Sequence, residues 1–205
     1  FKEVVVAPGY TEDALSVLRE EDNLRVFDVG PLDVGGVHAA FTGADPADRF
    51  VEKVLVGGRL VQERDRQRLG LEDIEVVTER TPTDAQVESM LFAWQTAKHV
   101  KSNAIVFATG TETVGIGAGQ MSRVDAVRIA TMKADEHAEG KSAAGAVMAS
   151  DAFFPFPDGI EAAAEAGIEA VIQPGGSVND DDVIAAADDL GLTMAFTGQR
   201  AFRHD

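Results

Sequence analysis

Three phenylalanines, two prolines and two carboxylates are concentrated in residues 150–158, Ser-Asp-Ala-Phe-Phe-Pro-Phe-Pro-Asp. Aromatic residues make up only 6% of the chain, so this density is a local feature. Prolines remove backbone donors and push the preceding residues toward extended geometry, which predicts a stiff, non-repetitive loop. Such a loop suits a flat heterocycle with a polar edge. The alternative is that the loop buries its own phenylalanines in the core.

A second candidate is the glycine-rich segment 115–123, Gly-Ile-Gly-Ala-Gly-Gln-Met-Ser-Arg, between a predicted strand and a predicted helix. The dinucleotide fingerprint Gly-x-Gly-x-x-Gly is not satisfied, because residues 120 and 122 are Gln and Ser. A nicotinamide-dependent oxidoreductase therefore rests on an imperfect motif, and the Walker lysine is also missing. Two interpretations remain, an anion or carboxamide site at the helix start and a purely tight turn.

Several other polar groups have ordinary structural explanations. Ser102-Asn103 lies where a helix gives way to a strand, a common place for site residues in α/β folds and also for turn residues. Lys98-His99 falls on a helix, which favours a surface pair over acid–base chemistry. The acidic run Asn179–Asp182 precedes a helix and is typical of capping. The turn at 173–177, Gln-Pro-Gly-Gly-Ser, either approaches a ligand or only reverses the chain.

Composition excludes several functional classes. The formal net charge of −17 argues against nucleic-acid binding and against adhesion to an anionic membrane surface. With no cysteine there is no disulfide, zinc-thiolate site or thiol nucleophile, and the four histidines lack metal-ligand spacing. The spread acidity and scarce lysines favour adaptation to high salt, with a mesophilic acidic protein as the alternative. No transmembrane run or signal peptide is recognised, so we expect a cytoplasmic protein.

The elements that must position these residues alternate between strands and helices, which predicts a layered α/β/α fold. Predicted strands cover 3–7, 24–29, a hairpin through Gly57-Gly58, 74–78, 103–108, 113–116, 145–149, 170–173 and 193–197. Predicted helices cover 11–20, 85–99, 122–139, 160–166 and 181–190, and residues 30–50 are expected to be loop. The segment Thr81-Pro-Thr-Asp84 marks a predicted division into domains 1–80 and 81–205.

Five motifs occur in an order that resembles a known family. They are Lys98-His-Val-Lys-Ser-Asn-Ala104, Val114-Gly-Ile-Gly-Ala-Gly-Gln-Met-Ser-Arg123, Ser150-Asp-Ala-Phe-Phe-Pro-Phe-Pro-Asp158, Ile172-Gln-Pro-Gly-Gly-Ser177 and Thr197-Gly-Gln-Arg-Ala-Phe-Arg-His204. Gly57-Gly-Arg-Leu-Val-Gln-Glu-Arg-Asp65 and Phe92-Ala-Trp94 fit as well. Together they resemble the AICAR transformylase part of the bifunctional AICAR transformylase/IMP cyclohydrolase family, over nearly the whole chain.

This resemblance implies formyl transfer from 10-formyltetrahydrofolate to the 5-amino group of AICAR, giving FAICAR. It implies cytidine-deaminase-like α/β subdomains without the deaminase zinc, and active sites at a homodimer interface. By resemblance, Asn103 orients and polarises the formyl group. The other implied ligand contacts are Gln120, Arg123, Phe153 and Arg200 on the AICAR side and Pro155 and Asp158 on the folate side. Ser102 and Asp151 resemble part of a monovalent-cation site, with K⁺ as the expected ion.

The resemblance also implies that part of the family's active site is missing from this sequence. The family's proton-transfer Lys-His pair and an Arg-Tyr-Gly nucleotide motif belong to an upstream half, and Lys98-His99 is a different segment. Because the chain opens at Phe1 inside an apparent strand without a methionine, we expect a fragment or processed product. Its partners would be AICAR, folate and a second copy, with the upstream half carried by a separate chain or by a missing segment. The alternative function is a non-catalytic folate- or nucleotide-binding and dimerisation module.

Overall fold

The structure, a computed structural model, describes residues 2–30, 50–63, 65, 67–137, 142–201 and 203. Residues 31–49 of the predicted 30–50 loop lie outside these ranges, as do the last two residues of the predicted 122–139 helix. The chain divides into two compact units, Phe1–Arg66 and Gln67–Asp205. Within the described residues, no helix combines the length and apolar character needed to cross a membrane.

The first unit contains two small sheets. Strands β1 (Val4–Ala7) and β2 (Arg25–Asp28) pair in parallel, joined through helix α1 (Glu12–Leu18). Thr11 caps α1 as predicted, because its hydroxyl accepts from the Ala14 amide at 3.2 Å. The predicted glycine hairpin is confirmed as β3 (Phe50–Leu55) and β4 (Gly58–Glu63).

The second unit is built on a six-stranded mixed sheet in the order β5-β10-β9-β8-β6-β7. Its strands are β5 (Glu75–Val76), β6 (Ile105–Thr109), β7 (Glu112–Gly117), β8 (Val147–Ser150), β9 (Ala170–Gln173) and β10 (Thr193–Phe196). Strands β8, β9 and β10 run parallel to one another, whereas β6 is antiparallel to both β7 and β8. Strand β5 pairs antiparallel with β10, and β5 and β7 are the two outer strands of the sheet.

Helices cover both faces of this sheet, as the α/β prediction requires. They are α2 (Asp84–Ala97), α3 (Arg123–His137), α4 (Asp158–Glu165) and α5 (Asp180–Asp189). Side chains alternate along β6, so Val106 packs in one core cluster with α2 and Phe107 in another with α3, α4 and α5. Helix α2 begins at the predicted segment, where Thr83 and Gln86 form a reciprocal capping box.

The glycine-rich segment was expected to be a turn, and the structure places most of it elsewhere. Gly115 and Gly117 lie within β7 under helix α3. A Cβ on either residue would collide with a main-chain carbonyl oxygen of α3, that of Ala130 or of Ala126. These glycines therefore allow close strand–helix packing, and only Gly119, with φ of +66°, has the left-handed backbone of a turn.

The compact units divide at residues 66 and 67 rather than at the predicted 80 and 81. The reason is that strand β5 joins the sheet of the second unit, where Val76 pairs with Ala195. Thr78 then donates its hydroxyl to the Arg80 carbonyl and accepts from the Met194 amide at 2.8 Å. Residues 67–80 are thereby hydrogen-bonded to the second unit well before α2 begins.

Candidate functional site

Sheet topology gathers the predicted site segments at one edge. Loops that follow the parallel strands β8, β9 and β10 leave from the same edge. Since β6 is antiparallel to β8 and β7 is antiparallel to β6, the start of β6 and the end of β7 lie there too. The segments that meet at this edge are 101–104, 118–123, 151–158 and 174–179, together with the described residues 197–201 and 203.

Arg123, the first residue of α3, is the centre of a polar network at this edge. Its Nη1 donates to Asp151 Oδ1 at 2.5 Å and to Ser150 Oγ at 2.8 Å, and its Nη2 donates to Asn103 Oδ1 at 2.9 Å. The Arg123 side chain is 9% exposed and that of Asp151 is 1% exposed. A buried charge pair of this kind is tolerated because the guanidinium and the carboxylate each make further hydrogen bonds.

Asp151 also ties the network to the C-terminal segment. Its second carboxylate oxygen accepts from the Ser102 hydroxyl. Its main-chain carbonyl accepts from the Ala201 amide at 2.9 Å, and the Ser102 amide donates to the Arg203 carbonyl at 2.8 Å. The two residues predicted as cation ligands are thus adjacent, and both are hydrogen-bonded through their main chains to the C-terminal segment.

Asn103 is joined to the end of the glycine segment. Its Nδ2 donates to the main-chain carbonyl of Gln120 at 2.8 Å, and the two backbones exchange N–H···O bonds at 3.3 and 3.4 Å. The Gln120 side chain instead donates to the Ala118 carbonyl at 2.9 Å. Because the arginine can only donate, it fixes the Asn103 amide with its oxygen toward Arg123 and its NH₂ toward Gln120.

The phenylalanines of the aromatic loop have different environments, so burial in the core applies to Phe154 alone, and ligand binding by the loop stays a prediction. Phe154 is fully buried, and the Arg123 guanidinium carbon lies 5.9 Å from its ring centroid. Phe153 is half-buried and Phe156 is 61% exposed. The loop therefore anchors itself through one ring and leaves two near its surface, beside the exposed Pro155.

Two side chains that were not among the predicted ligand contacts support this loop. Gln173, fully buried at the end of β9, accepts from the Phe154 amide at 3.2 Å. Asn179 was expected to cap α5, but its side chain makes no capping bond and donates to the Pro155 carbonyl at 2.7 Å. The acidic residues that follow Asn179 do occupy the first turn of α5. The sequence signal for Gln173 is a carboxamide at the end of the apolar strand 170–173.

The remaining predicted residues lie at the margins of the edge. Asp158 is exposed at the start of α4, accepts from the Gly159 amide at 2.8 Å, and lines a cleft of about 460 Å³ beside α3. Arg200 is exposed in the segment after β10. Lys98 was expected at the surface with His99, and this is wrong because Lys98 is buried, with Nζ donating to the Gln67 carbonyl at 2.6 Å.

The network offers oxygen and nitrogen groups but no cluster typical of a transition-metal site. Across the described ranges, no group of three or more His, Asp or Glu side chains could hold a metal ion. The chemistry available at the edge is hydrogen-bond donation from Asn103 and Arg123, together with apolar contact from Phe153 and Phe156. These groups suit the binding and polarisation of a planar ligand that carries a carbonyl.

Comparison with known proteins identifies the family. A family model described as the AICARFT/IMPCHase bienzyme matches residues 1–133. The chain is 51% identical, over an alignment of 210 residues, to the bifunctional purine biosynthesis protein PurH of Cereibacter sphaeroides strains ATCC 17029 and ATCC 17025. All of this chain is aligned, and it spans 38% of the length of these relatives. The chain belongs to the AICARFT/IMPCHase bienzyme family.

Proposed function

We propose that this chain supplies the C-terminal part of an AICAR transformylase. The complete enzyme would transfer the formyl group of 10-formyltetrahydrofolate to the 5-amino group of AICAR, releasing FAICAR and tetrahydrofolate in purine biosynthesis. The observation that carries the proposal is the meeting of the five motif segments at one sheet edge, around the Asn103–Arg123–Asp151 network. Membership of the bienzyme family supports the same reaction.

The reaction needs a donor aimed at the formyl oxygen. When the amine attacks the formyl carbon, that oxygen becomes an oxyanion, and a preorganised N–H group stabilises it. Asn103 Nδ2 carries two hydrogens, of which one is given to the Gln120 carbonyl. We assign the second hydrogen to the oxyanion. Arg123 acts through Asn103 here, because its bond to Oδ1 holds the amide in the donating orientation.

The two substrates would lie on opposite sides of the aromatic loop. On the AICAR side we place the half-buried ring of Phe153, with Gln120 and Arg200 for the polar groups of the nucleotide. On the folate side we place Pro155 and Asp158, both exposed. The carboxylate of Asp158 suits the N–H donors of a pterin edge, and the proline ring suits its apolar face.

Proton removal from the attacking amine requires a base that these residues do not supply. Lys98 Nζ is committed to a main-chain carbonyl, which makes the Lys98-His99 segment unsuitable as the proton-transfer pair. We therefore place the base in the part of the enzyme outside this chain, which spans 38% of its relatives. A cytoplasmic homodimer of cytidine-deaminase-like subdomains, active in high salt, is the assembly we propose for the whole protein.

A monovalent cation such as K⁺ would take ligands from Ser102 Oγ and Asp151 Oδ2. The two side chains fit in chemical type, since both are oxygen ligands and they already meet each other. Main-chain oxygens of the adjacent C-terminal segment would have to complete the coordination. When bound, the ion would hold that segment, and with it Arg200, against the network.

The test is an assay of FAICAR formation in the complete enzyme that contains this segment. Replacing Asn103 with aspartate removes the donor at constant size, and we expect kcat to fall by about 10²–10³-fold with KM little changed. Absence of FAICAR formation by the unaltered complete enzyme would refute the proposed function. Unchanged kcat in Asn103→Asp would refute the role assigned to Asn103 and leave the proposed function standing.

A non-catalytic folate- or nucleotide-binding and dimerisation module is the second candidate for the isolated chain. The observation that favours it is that Lys98, in the segment that leads to Asn103, is bound to a carbonyl rather than presented to a ligand. Calorimetry on the 205-residue chain separates the candidates. Binding of AICAR or folate without turnover supports the module, whereas measurable turnover by this chain excludes it.

A further inference from the structure

The aromatic loop has few backbone donors with which to hold its own shape. Pro155 and Pro157 have no N–H group, so the loop cannot form a ladder of its own hydrogen bonds. A segment that is both stiff and unable to bond to itself depends on outside groups for its position. The contacts made by residues 173–179, at the end of β9 and in the loop that follows it, are therefore informative.

Two carboxamides hold the loop at consecutive residues from the same neighbouring segment. Gln173 Oε1 accepts from the Phe154 amide at 3.2 Å, and Asn179 Nδ2 donates to the Pro155 carbonyl at 2.7 Å. Gln173 is fully buried and its Nε2 lies 3.4 Å from Met194 Sδ, so its orientation is fixed by the core. One bond holds an N–H and the other holds a C=O, which restrains both sides of the Phe154–Pro155 peptide.

The position of Asn179 argues against an ordinary capping role. It occupies the N-cap position of α5, yet its side chain makes no capping bond. Instead its side chain reaches a proline carbonyl in the aromatic loop. An asparagine normally satisfies a helix N–H at this position, and here it satisfies a carbonyl that has no partner within its own turn.

We propose that Asn179 and Gln173 are positioning residues that hold the aromatic loop in its ligand-binding shape. The inference rests on the proposed function for its effect on substrates, since neither side chain is assigned a contact with AICAR or folate. Their bonds fix the Phe154–Pro155 peptide, and with it the Pro155 ring and the preceding Phe153. Loss of either bond should allow the loop to open and should weaken substrate binding more than it slows the chemical step.

The sharpest variant is Asn179→Asp. It keeps the size of the side chain and suits the N-terminus of α5, where a negative charge is stabilising, but it cannot donate to the Pro155 carbonyl. We expect the amides of residues 152–154 and 156 to exchange about five-fold faster, the equivalent of one ordinary hydrogen bond, while α5 stays protected. In the complete enzyme, KM for AICAR or folate should rise about five-fold with kcat nearly constant.

Asp181→Ala is the matched control. Asp181 is exposed in the first turn of α5 and its loss weakens that helix end without touching the loop. It should speed exchange in α5 and leave the loop and KM unchanged. Gln173→Met, which keeps the buried volume and removes the acceptor, should reproduce the loop exchange of Asn179→Asp.

The possible results separate this inference from the proposed function. Loop exchange and KM in Asn179→Asp equal to those of the unaltered protein would overturn it. Faster exchange in both α5 and the loop would also overturn the inference, because it would show that Asn179 only stabilises the helix. If the unaltered complete enzyme forms no FAICAR, the proposed function fails, and hydrogen exchange in the 205-residue chain still decides whether the two carboxamides hold the loop.

Discussion

Replacing Arg123 with methionine should destabilise the second unit by about 3–5 kcal/mol, the usual effect of removing one partner of a buried ion pair. The variant removes the bonds to Asp151, Ser150 and Asn103 at once. The larger part of the effect comes from the Asp151 carboxylate, which is 1% exposed and would keep its bond from the Ser102 hydroxyl but lose its cationic partner. Methionine retains much of the arginine's apolar contact with Phe154, so lost packing contributes little.

The size of the effect can be separated from general damage to α3. Arg128 lies in the same helix, and its pair with Asp125, at 3.4 Å, is exposed, with side-chain accessibilities of 69% and 50%. Arg128→Met should therefore change the free energy of unfolding by no more than about 0.5 kcal/mol. In a double-mutant cycle, Arg123→Met with Asp151→Asn should cost less than the sum of the single variants by at least about 2 kcal/mol.

Urea unfolding followed by tryptophan fluorescence measures these free energies. Trp94 is the single tryptophan and is buried in the core of the second unit, so its signal reports the unit that contains the network. A loss below about 1 kcal/mol for Arg123→Met, or single variants that simply add, would refute the view that Arg123 and Asp151 form one coupled buried pair.

Further predictions test packing, the loop and the charge of the chain. Gly117→Ala should lower the free energy of unfolding by about 2–4 kcal/mol in the same assay, because its Cβ would meet the Ala126 carbonyl of α3; a neutral result would contradict the close packing. Phe154→Ala should cost about 3–5 kcal/mol, whereas Phe156→Ala, at a 61% exposed position, should cost about 0.5 kcal/mol or less by urea titration. With a net charge of −17, Tm should rise between about 0.05 M and 1 M NaCl, by about 2–4 °C for each kcal/mol of repulsion screened; a falling Tm in calorimetry would oppose adaptation to high salt.

Local signals in the sequence predicted the elements well wherever the stabilising partner is close in sequence. Thr83 begins α2 because its hydroxyl and the Gln86 side chain lie within one turn of each other. The same logic was wrong for Asn179, whose partner Pro155 is far away along the chain. A capping pattern shows that a side chain can bond to the helix, but it does not exclude a better partner that only the fold brings near.

Glycine spacing was misleading for a related reason. The segment from Gly115 looked like a ligand turn, because turns and close helix packing both demand glycine. Which demand applies depends on what lies over the strand, and helix α3 lies there. Likewise, the composition of residues 150–158 predicted a rigid aromatic loop but not that Phe154, rather than its neighbours, would be the buried ring.

The hydrogen bonds of the network also decide how its residues can act. Arg123 has five N–H donors and makes three hydrogen bonds, to Asp151, Ser150 and Asn103, with a side chain only 9% exposed. A guanidinium that is buried and hydrogen-bonded in this way is poorly placed to bind a phosphate in bidentate fashion. Its effect on a substrate is therefore transmitted through Asn103, whose amide it orients. Because Asn103 is half-buried whereas the Asp151 side chain is 1% exposed, a ligand at this edge meets the neutral donor of the network rather than its carboxylate.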